Sequence, residues 1–391
     1  DGRDDGRVDV NPPPGPGFAE GMGDPIDNMI AKKAKGKTIR VASKSIRSVP
    51  VLKRIFQSSP VFQGIMSYSP YEAIFLADQS FSDILIGYPF WDEQAYIEIS
   101  KRNKDGRIIT IMIDSLGHVQ HVKNILANVD GKFYICIDID MSTTFGTLHF
   151  GVRRSPLKTP EQVLNLAITI RETEGLELVG VMGYEAQIAG VGDAAPSQWV
   201  KNQLIKFLKR KSMKEILERR KTIVQALKKE GVANLFVNGG GTGSLHSTSE
   251  DETVTELTAG SGFYAPLLFD YYRDFKYSPS LFFALPVVRK PAPNIYTCLG
   301  GGYIASGPHG ADKVPQPYIP SGGNLLPFEG AGEVQTPVYF KNQSLDIGDA
   351  ILFRAAKAGE ICERFNHMYC ISNGEVKEQY LTYRGEGKCF L

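Results

Sequence analysis

From Thr38 onward, short apolar runs alternate with amphipathic segments, and this rhythm limits the fold more than any other feature of the sequence. Thr38–Ala42, Gly64–Ser67, Asp83–Ile86, Ile108–Ile113, Phe133–Ile137, Leu176–Met182, Leu235–Val237 and Val254–Leu257 read as strands. Between them lie segments with apolar residues at helical spacing, such as Val51, Leu52, Ile55 and Phe56, or Val119, Val122, Ile125 and Leu126. Helix starts are marked by Ser48, by Ser69-Pro70-Tyr71-Glu72, by Ser115 and by Thr159-Pro160-Glu161-Gln162. Several strands are apolar throughout instead of alternating, as expected of a parallel sheet covered on both faces. Eight strands alternating with helices predict an α/β fold, a (β/α)8 TIM-type barrel over residues 25–274, with a doubly wound open sheet as the alternative. Either fold gathers function at the carboxyl ends of the strands, which places Lys44, Asp114, Asp140, Tyr184 and the turn after Val237 on one face.

The texture changes after about Tyr277. Pro and Gly become dense, and strand-like runs follow without long helices between them: Val334–Phe340, Ala350–Arg354 and Met368–Ile371. Ser372-Asn373-Gly374-Glu375 is a hairpin turn signal. A second, mainly β domain is therefore expected over 275–391. Residues 1–24, with Pro12-Pro13-Pro14-Gly15-Pro16-Gly17, are expected to form a disordered tail.

Composition excludes several classes. The 391 residues carry a net charge of +1, which gives no reason to expect nucleic acid as a partner. The basic run from Lys201 to Lys229 reads as an outer helix with a solvated face. No apolar run reaches bilayer length, so no membrane span is expected. The five cysteines are odd in number and not paired in spacing, and no secretory leader is visible, so a reducing, cytoplasmic location is expected.

The seventh strand stops at Gly239-Gly240-Gly241-Thr242-Gly243-Ser244. Consecutive glycines let backbone N–H groups turn toward an anion, and Thr242 and Ser244 add hydroxyls. The alternative is a tight strand exit with no ligand. No Lys follows Gly243, so this is not a P-loop. Lys44 lies just past the first strand, where burial and a neighbouring cation, Arg40 or Arg47, would favour a neutral, nucleophilic amine. A solvated surface Lys is the alternative. An amine after strand one facing a phosphate cradle after strand seven is the pair that pyridoxal phosphate requires.

Arg40-x-x-x-Lys44, Gly239 to Gly243, and Thr255-Glu256-Leu257-x-Ala259-Gly260 together resemble the fold-type III pyridoxal phosphate enzymes. The resemblance is to the D-threonine aldolase and D-serine dehydratase-like group, with the alanine racemase-type barrel more distant. Gly300-Gly301-Gly302-Tyr303-Ile304-Ala305-Ser306-Gly307 and Tyr383-Arg384-Gly385-Glu386-Gly387 are similar to bacterial members labelled amino acid deaminase/aldolase. The resemblance implies that Lys44 forms the Schiff base. It also implies that Gly240, Gly241, Thr242, Gly243, Gly260 and Ser261 hold the phosphate, with Arg40 and Tyr184 near the cofactor. The activity implied is that of a lyase on a β-hydroxy D-amino acid, by dehydration/deamination or retro-aldol cleavage, with a homodimer as the assembly. A racemase, a non-catalytic pyridoxal phosphate carrier, and a phosphate-sugar barrel enzyme in which Lys44 is incidental are the alternatives.

The resemblance also implies a divalent metal, held by a His and by a Cys or Asp two residues on. Here the matching stretch reads Asn366-His367-Met368-Tyr369-Cys370. His367 fits, but in an extended strand it shares a face with Tyr369 and not with Cys370. His367 and Cys370 are the candidate pair, against a strand with a buried free Cys. The group's two histidines around the lysine become Ala42 and Ile46, and the racemase-like Arg-x-Gly becomes His149-Phe150-Gly151, followed by Arg153 and Arg154. Arg153 and His149 are the candidate substrate contacts; a solvated basic loop is the alternative. His118 and His121 read as helix-surface residues, Asp114, Asp138 and Asp140 as strand-end carboxylates, and His246 as an acid/base candidate on a loop.

Overall fold

A computed structural model describes residues 26–391 apart from Ala233 and His309; the expected tail, residues 1–24, lies outside the described residues. Eight parallel strands close a barrel. They are β1 (Thr38–Ala42), β2 (Phe62–Ser67), β3 (Ile84–Ile86), β4 (Ile109–Ile113), β5 (Phe133–Asp138), β8 (Leu176–Gly183), β9 (Phe236–Gly239) and β10 (Glu256–Ala259). A short hairpin, β6 (Thr143–Phe145) and β7 (Leu148–Phe150), interrupts the crossover after β5. β1 closes the ring, pairing with β2 on one side and with β10 on the other, Val41 opposite Ala259. The barrel expected from the alternation is the one formed, and the open sheet is excluded.

Strand parity explains the continuous apolar runs. Ile39, Val41, Ile111, Ile113, Ile135, Ile137, Val181 and Leu257 are buried in the large core that includes the surrounding helices. Leu85, Met112, Cys136 and Met182, with Met66 and Phe236, form a separate cluster, the filling of the barrel. A side chain at Gly180 would collide with the Phe236 ring, so this glycine makes room for it.

The helices are α1 (Ile26–Ala31), α2 (Val49–Ser58), α3 (Pro70–Asp78), α4 (Glu93–Lys104), α5 (Leu116–Leu126), α6 (Pro160–Glu172), α7 (Ala186–Ala189), α8 (Trp199–Lys229) and α9 (Leu245–Thr248). Ser69, Ser115 and Thr159 accept the cap hydrogen bonds that their sequence positions foretold. Ser48 stands at the N-cap of α2, but its hydroxyl donates instead to Leu381 O at 2.8 Å. Among the described residues no helix is long and apolar enough to cross a membrane.

The rest of the chain is antiparallel. Strands β11 (Phe283–Ala292), β12 (Ile295–Leu299), β13 (Gln316–Ile319), β14 (Gly323–Leu325), β15 (Gln335–Phe340) and β16 (Ala350–Arg354) form one sheet in the order β13-β16-β11-β12-β15-β14. A separate hairpin joins β17 (His367–Ser372) to β18 (Glu375–Leu381) through Asn373 and Gly374, both at positive φ. Beyond β18 the chain returns to the barrel. Tyr383 N donates to Arg47 O at 2.9 Å, and its hydroxyl donates to Glu72 at 2.9 Å.

Candidate active site

The site is built at the carboxyl ends of the barrel strands. β1 ends in a 3-10 turn over Ser43–Ser45, and Lys44 projects from it, exposed. Its Nζ donates to Tyr88 Oη at 3.1 Å; Tyr88 follows Gly87 at the end of β3. Burial drives the Tyr88 phenol up, but the Lys44 and Arg154 charges outweigh it and hold the phenol below its usual range. Arg154 lies 5.3 Å from the Tyr88 ring centroid and 5.5 Å from that of Tyr184, which follows β8. Burial raises the Tyr184 phenol to about 12. Asp138, at the end of β5, is raised to about 7 by burial first and by Asp114 next, with Arg154 opposing. The mouth thus holds an amine, two phenols, a guanidinium and a carboxyl that keeps its proton near neutral pH.

The glycine loop lies between β9 and α9. Gly240 takes φ +85°, and its N–H donates to Glu185 at 3.2 Å. Ser244 Oγ and Thr248 Oγ1 also donate to Glu185, and Arg220 reaches in from α8 to pair with it at 3.0 Å. Glu185 and Arg220 are both almost wholly buried. The loop therefore rests on a fixed carboxylate. Thr242 Oγ1 accepts from Gly262 N at 3.1 Å, tying this loop to the one after β10. Ser261 in that second loop bonds Ser45 Oγ at 2.9 Å, which links it to the Lys44 turn.

These bonds correct two expectations about the loop. The hydroxyl of Ser244 is committed within the fold, and so is the N–H of Gly240, whereas Thr242 Oγ1 serves only as an acceptor among the described residues. Among the described residues, the first-turn N–H groups of the two 3-10 turns, Thr242 and Gly243 in one and Ser261 in the other, have no hydrogen-bond acceptor. A Cβ on Gly241 would lie 3.1 Å from Ala189 and 3.2 Å from the Tyr184 ring, and one on Gly260 would lie 2.8 Å from Ala42. A close-walled loop with several unpaired N–H donors fits a phosphate monoester.

Arg40 is a correction. It points into the barrel, fully buried, with Nε 2.7 Å and Nη2 2.8 Å from Glu256 and Nη2 2.9 Å from Asp83. It is a charge-paired plug below the mouth and is not free for a cofactor. Arg47 donates to Glu363 at 2.5 Å and to Lys44 O at 3.0 Å, so neither arginine stands as a free cation against the lysine. Arg153 is exposed beside the site, while its neighbour Arg154 occupies the place between the tyrosines. His149 is half-buried on β7, its Nε2 enclosed and without a hydrogen-bond partner among the described residues. His121 is not a surface residue but is buried under Trp91, stacked at 3.9 Å; His118 pairs with Asp114 at 3.1 Å. His246 is exposed on α9.

The metal pair is also corrected. His367 and Tyr369 share a face of β17, their rings 6.5 Å apart, while Cys370 faces α2 and accepts from Arg54 at 3.5 Å. Among the described residues no three His, Cys, Asp or Glu side chains come together as ligands. Residues that point to opposite faces of a strand do not fit one divalent ion.

Tyr88, Glu185 and Arg220 were not singled out from the sequence. Tyr88 had a readable signal, its place immediately after a strand and a glycine. Glu185 stood beside Tyr184 in a motif but carried no sign of its partners, which come from α8 and α9.

No protein-family model matches the chain. Its sequence is 25% identical over 242 residues to the 3-hydroxy-D-aspartate aldolase of Paracoccus denitrificans (strain Pd 1222), a match covering 62% of this chain. The match spans 56% of the length of that curated relative. The structure of D-threonine aldolase from Filomicrobium marinum superposes with a TM-score of 0.77 at 16% identity, covering 92% of this chain and 91% of that one. D-threo-3-hydroxyaspartate dehydratase from Delftia sp. HT23 superposes with a TM-score of 0.72 at 16% identity, covering 91% and 94%. The resemblance to the D-threonine aldolase group read from the sequence is thus borne out, and the chain has the fold of those enzymes, a parallel barrel followed by an antiparallel sheet.

Proposed function

We propose that this protein is a pyridoxal phosphate-dependent lyase acting on a D-amino acid with a β-hydroxyl. The observation that carries this reading is the stitching of the Lys44 turn to the phosphate-fitting cradle through Ser45 and Ser261, with Lys44 Nζ directed to Tyr88 across the mouth. Similarity to a 3-hydroxy-D-aspartate aldolase supports the substrate class.

In this reading the N–H groups of Thr242, Gly243 and Ser261 hold the phosphate, and Lys44 supplies the amine. Bound pyridoxal phosphate supplies an aldehyde for amines and a ring that withdraws electrons from bonds at the α-carbon. Lys44 Nζ and Tyr88 Oη share one hydrogen bond, so a proton at Nζ has an oxygen ready to stabilise it. Arg154, braced by two aromatic rings, presents its guanidinium to the substrate carboxylate. Asp138 holds a proton near neutral pH beside this group. The Glu185–Arg220 pair fixes the glycine loop from beneath and touches no substrate.

The test is the visible spectrum of the purified protein before and after borohydride, beside Lys44→Ala. A yellow band that borohydride removes and the variant lacks is expected. Aldehyde and glycine, or keto acid and ammonia, are then assayed from D-β-hydroxy amino acids. A colourless protein that takes up no added pyridoxal phosphate would overturn the reading. A coloured protein that turns over none of these substrates would leave a carrier.

A further inference from the structure

Beside the Lys44 turn lies an open cavity of about 380 Å³ lined by Arg364, Phe365, Asn366, His367, Tyr369 and Arg384. It occupies the place where the resemblance led one to expect a metal, and its lining is of the opposite character. Two guanidiniums, a carboxamide, an imidazole and a phenol line it, and no carboxylate does. Their side chains make no hydrogen bond or ion pair within the described residues, whereas Arg40, Arg47, Arg220 and Arg354 are all ion-paired. Two neighbouring carboxylates are occupied elsewhere. Glu363 pairs with Arg47, and Glu360 accepts from Ser306. Two guanidiniums without an ion-pair partner among the described residues thus face one cavity, a field that repels a divalent cation and attracts an anion.

The lining side chains of Arg364, Asn366, His367, Tyr369 and Arg384 are exposed, and the fold fixes the backbone that carries them. Thr382 N and Oγ1 both bond Asn366 O, at 3.0 and 3.3 Å, and Gly385 N donates to Thr382 Oγ1 at 3.1 Å. A side chain on Gly385 would strike Asn366 O, so a glycine there lets the two segments close together. Gly387 N donates to Arg384 O at 2.9 Å and completes the turn. The Tyr383-Arg384-Gly385-Glu386-Gly387 motif is thus the clip that sets Arg384 across from Asn366 and His367. Both sides of the cavity are anchored to the Lys44 turn, one through Gly359, packed on the Lys44 carbonyl, and the other through Tyr383 N on Arg47 O.

We infer that this basin binds a dianion, a carboxylate or phosphate group gripped by Arg364 and Arg384, in place of a metal ion. Binding stands on the basin's own residues. Its use for a second carboxylate of the substrate rests on the lyase reading, and would make a β-hydroxy dicarboxylic amino acid the preferred class.

The test is calorimetric titration of the full chain with succinate and then with inorganic phosphate, in wild type, Arg364→Gln, Arg384→Gln and Lys44→Ala. Each arginine variant is expected to weaken succinate about 10-fold or more, the loss of one charge-assisted pair. Arg384→Lys is expected to restore part of this loss, and Lys44→Ala to leave succinate affinity unchanged. Circular dichroism checks that the variants fold. Succinate binding that phosphate fails to displace identifies a carboxylate site, and displacement identifies a general dianion site; both support the basin. Succinate binding that survives both arginine substitutions, or is lost only in Lys44→Ala, places the anion at the glycine loop and overturns it. So does the absence of binding, or stoichiometric Mn²⁺ binding, seen by electron paramagnetic resonance, that His367→Ala removes. Arginine-dependent succinate binding in a protein without lyase turnover keeps the basin and discards the lyase reading.

Discussion

Lys44 Nζ and Tyr88 Oη are 3.1 Å apart, the ends of β1 and β3 meeting across the barrel mouth. Tyr88→Phe removes the oxygen and keeps the ring. Turnover is expected to fall on the order of 100-fold, as for loss of one acid–base group, with the cofactor still bound. Because the wild-type phenol sits below its usual range, the alkaline limb of the pH–rate profile should lie lower in wild type than in the variant. Steady-state kinetics across pH, with the visible spectrum as the binding control, would check both points.

Glu185 is the support beneath the glycine loop, and its loss strands a buried guanidinium. Glu185→Ala is expected to cost on the order of 3 kcal/mol, since Arg220 keeps only Asp251 at 2.5 Å as an anionic partner. Urea unfolding measures this. Cofactor affinity should fall in parallel, because Gly240 and Ser244 lose their common acceptor.

Gly243 is expected to reject even a methyl group. A Cβ there would strike Ala189 O and lie 2.7 Å from the Tyr272 ring. Gly243→Ala should destabilise by about 1–3 kcal/mol through overpacking and should weaken pyridoxal phosphate uptake. Gly106→Ala, at a position with open space around it, tests backbone strain alone and should leave uptake unchanged.

Glu72 makes stability depend on pH. It is fully buried, and burial raises its carboxyl to about 7 against hydrogen bonds from Tyr68 N and Tyr383. The folded state keeps a proton that the unfolded chain releases near 4.5. The stabilisation is complete below that pH and is lost as pH rises through about 7, on the order of 3 kcal/mol in all. Asp138 acts in the same direction and window. Thermal midpoints from pH 4 to 8 should therefore fall, and Glu72→Gln should roughly halve that slope.

The barrel was legible because strand parity and helix caps are local. Val41 and Ile113 each sit in a run that only a doubly covered strand explains. Lys44 and Gly239 to Gly243 were legible because strand ends are. Arg40 was misread because its partner Glu256 lies 216 residues away, and charge next to a motif looks the same whether it faces a ligand or a carboxylate. β11 escaped notice because Pro286 and Pro291 interrupt the strand signal; Pro286 keeps regular register opposite Ala350, and Pro291 lies within a register shift against β12. Arg384 was visible in a motif, but its opposition to Asn366 comes from a turn that only the folded chain closes.

The Glu72–Tyr383 hydrogen bond spans 311 residues, and this gives the site a history in time. A ribosome releases the barrel strands well before Gly359 and Tyr383, the two residues that brace the Lys44 turn from outside. During that interval the Lys44 turn lacks the packing of Gly359, and Arg47 O and Glu72 lack their Tyr383 partners. A chain cut short before Tyr383 therefore lacks the two contacts, to Arg47 O and to Glu72, that tie the last segment to the barrel beside the Lys44 turn.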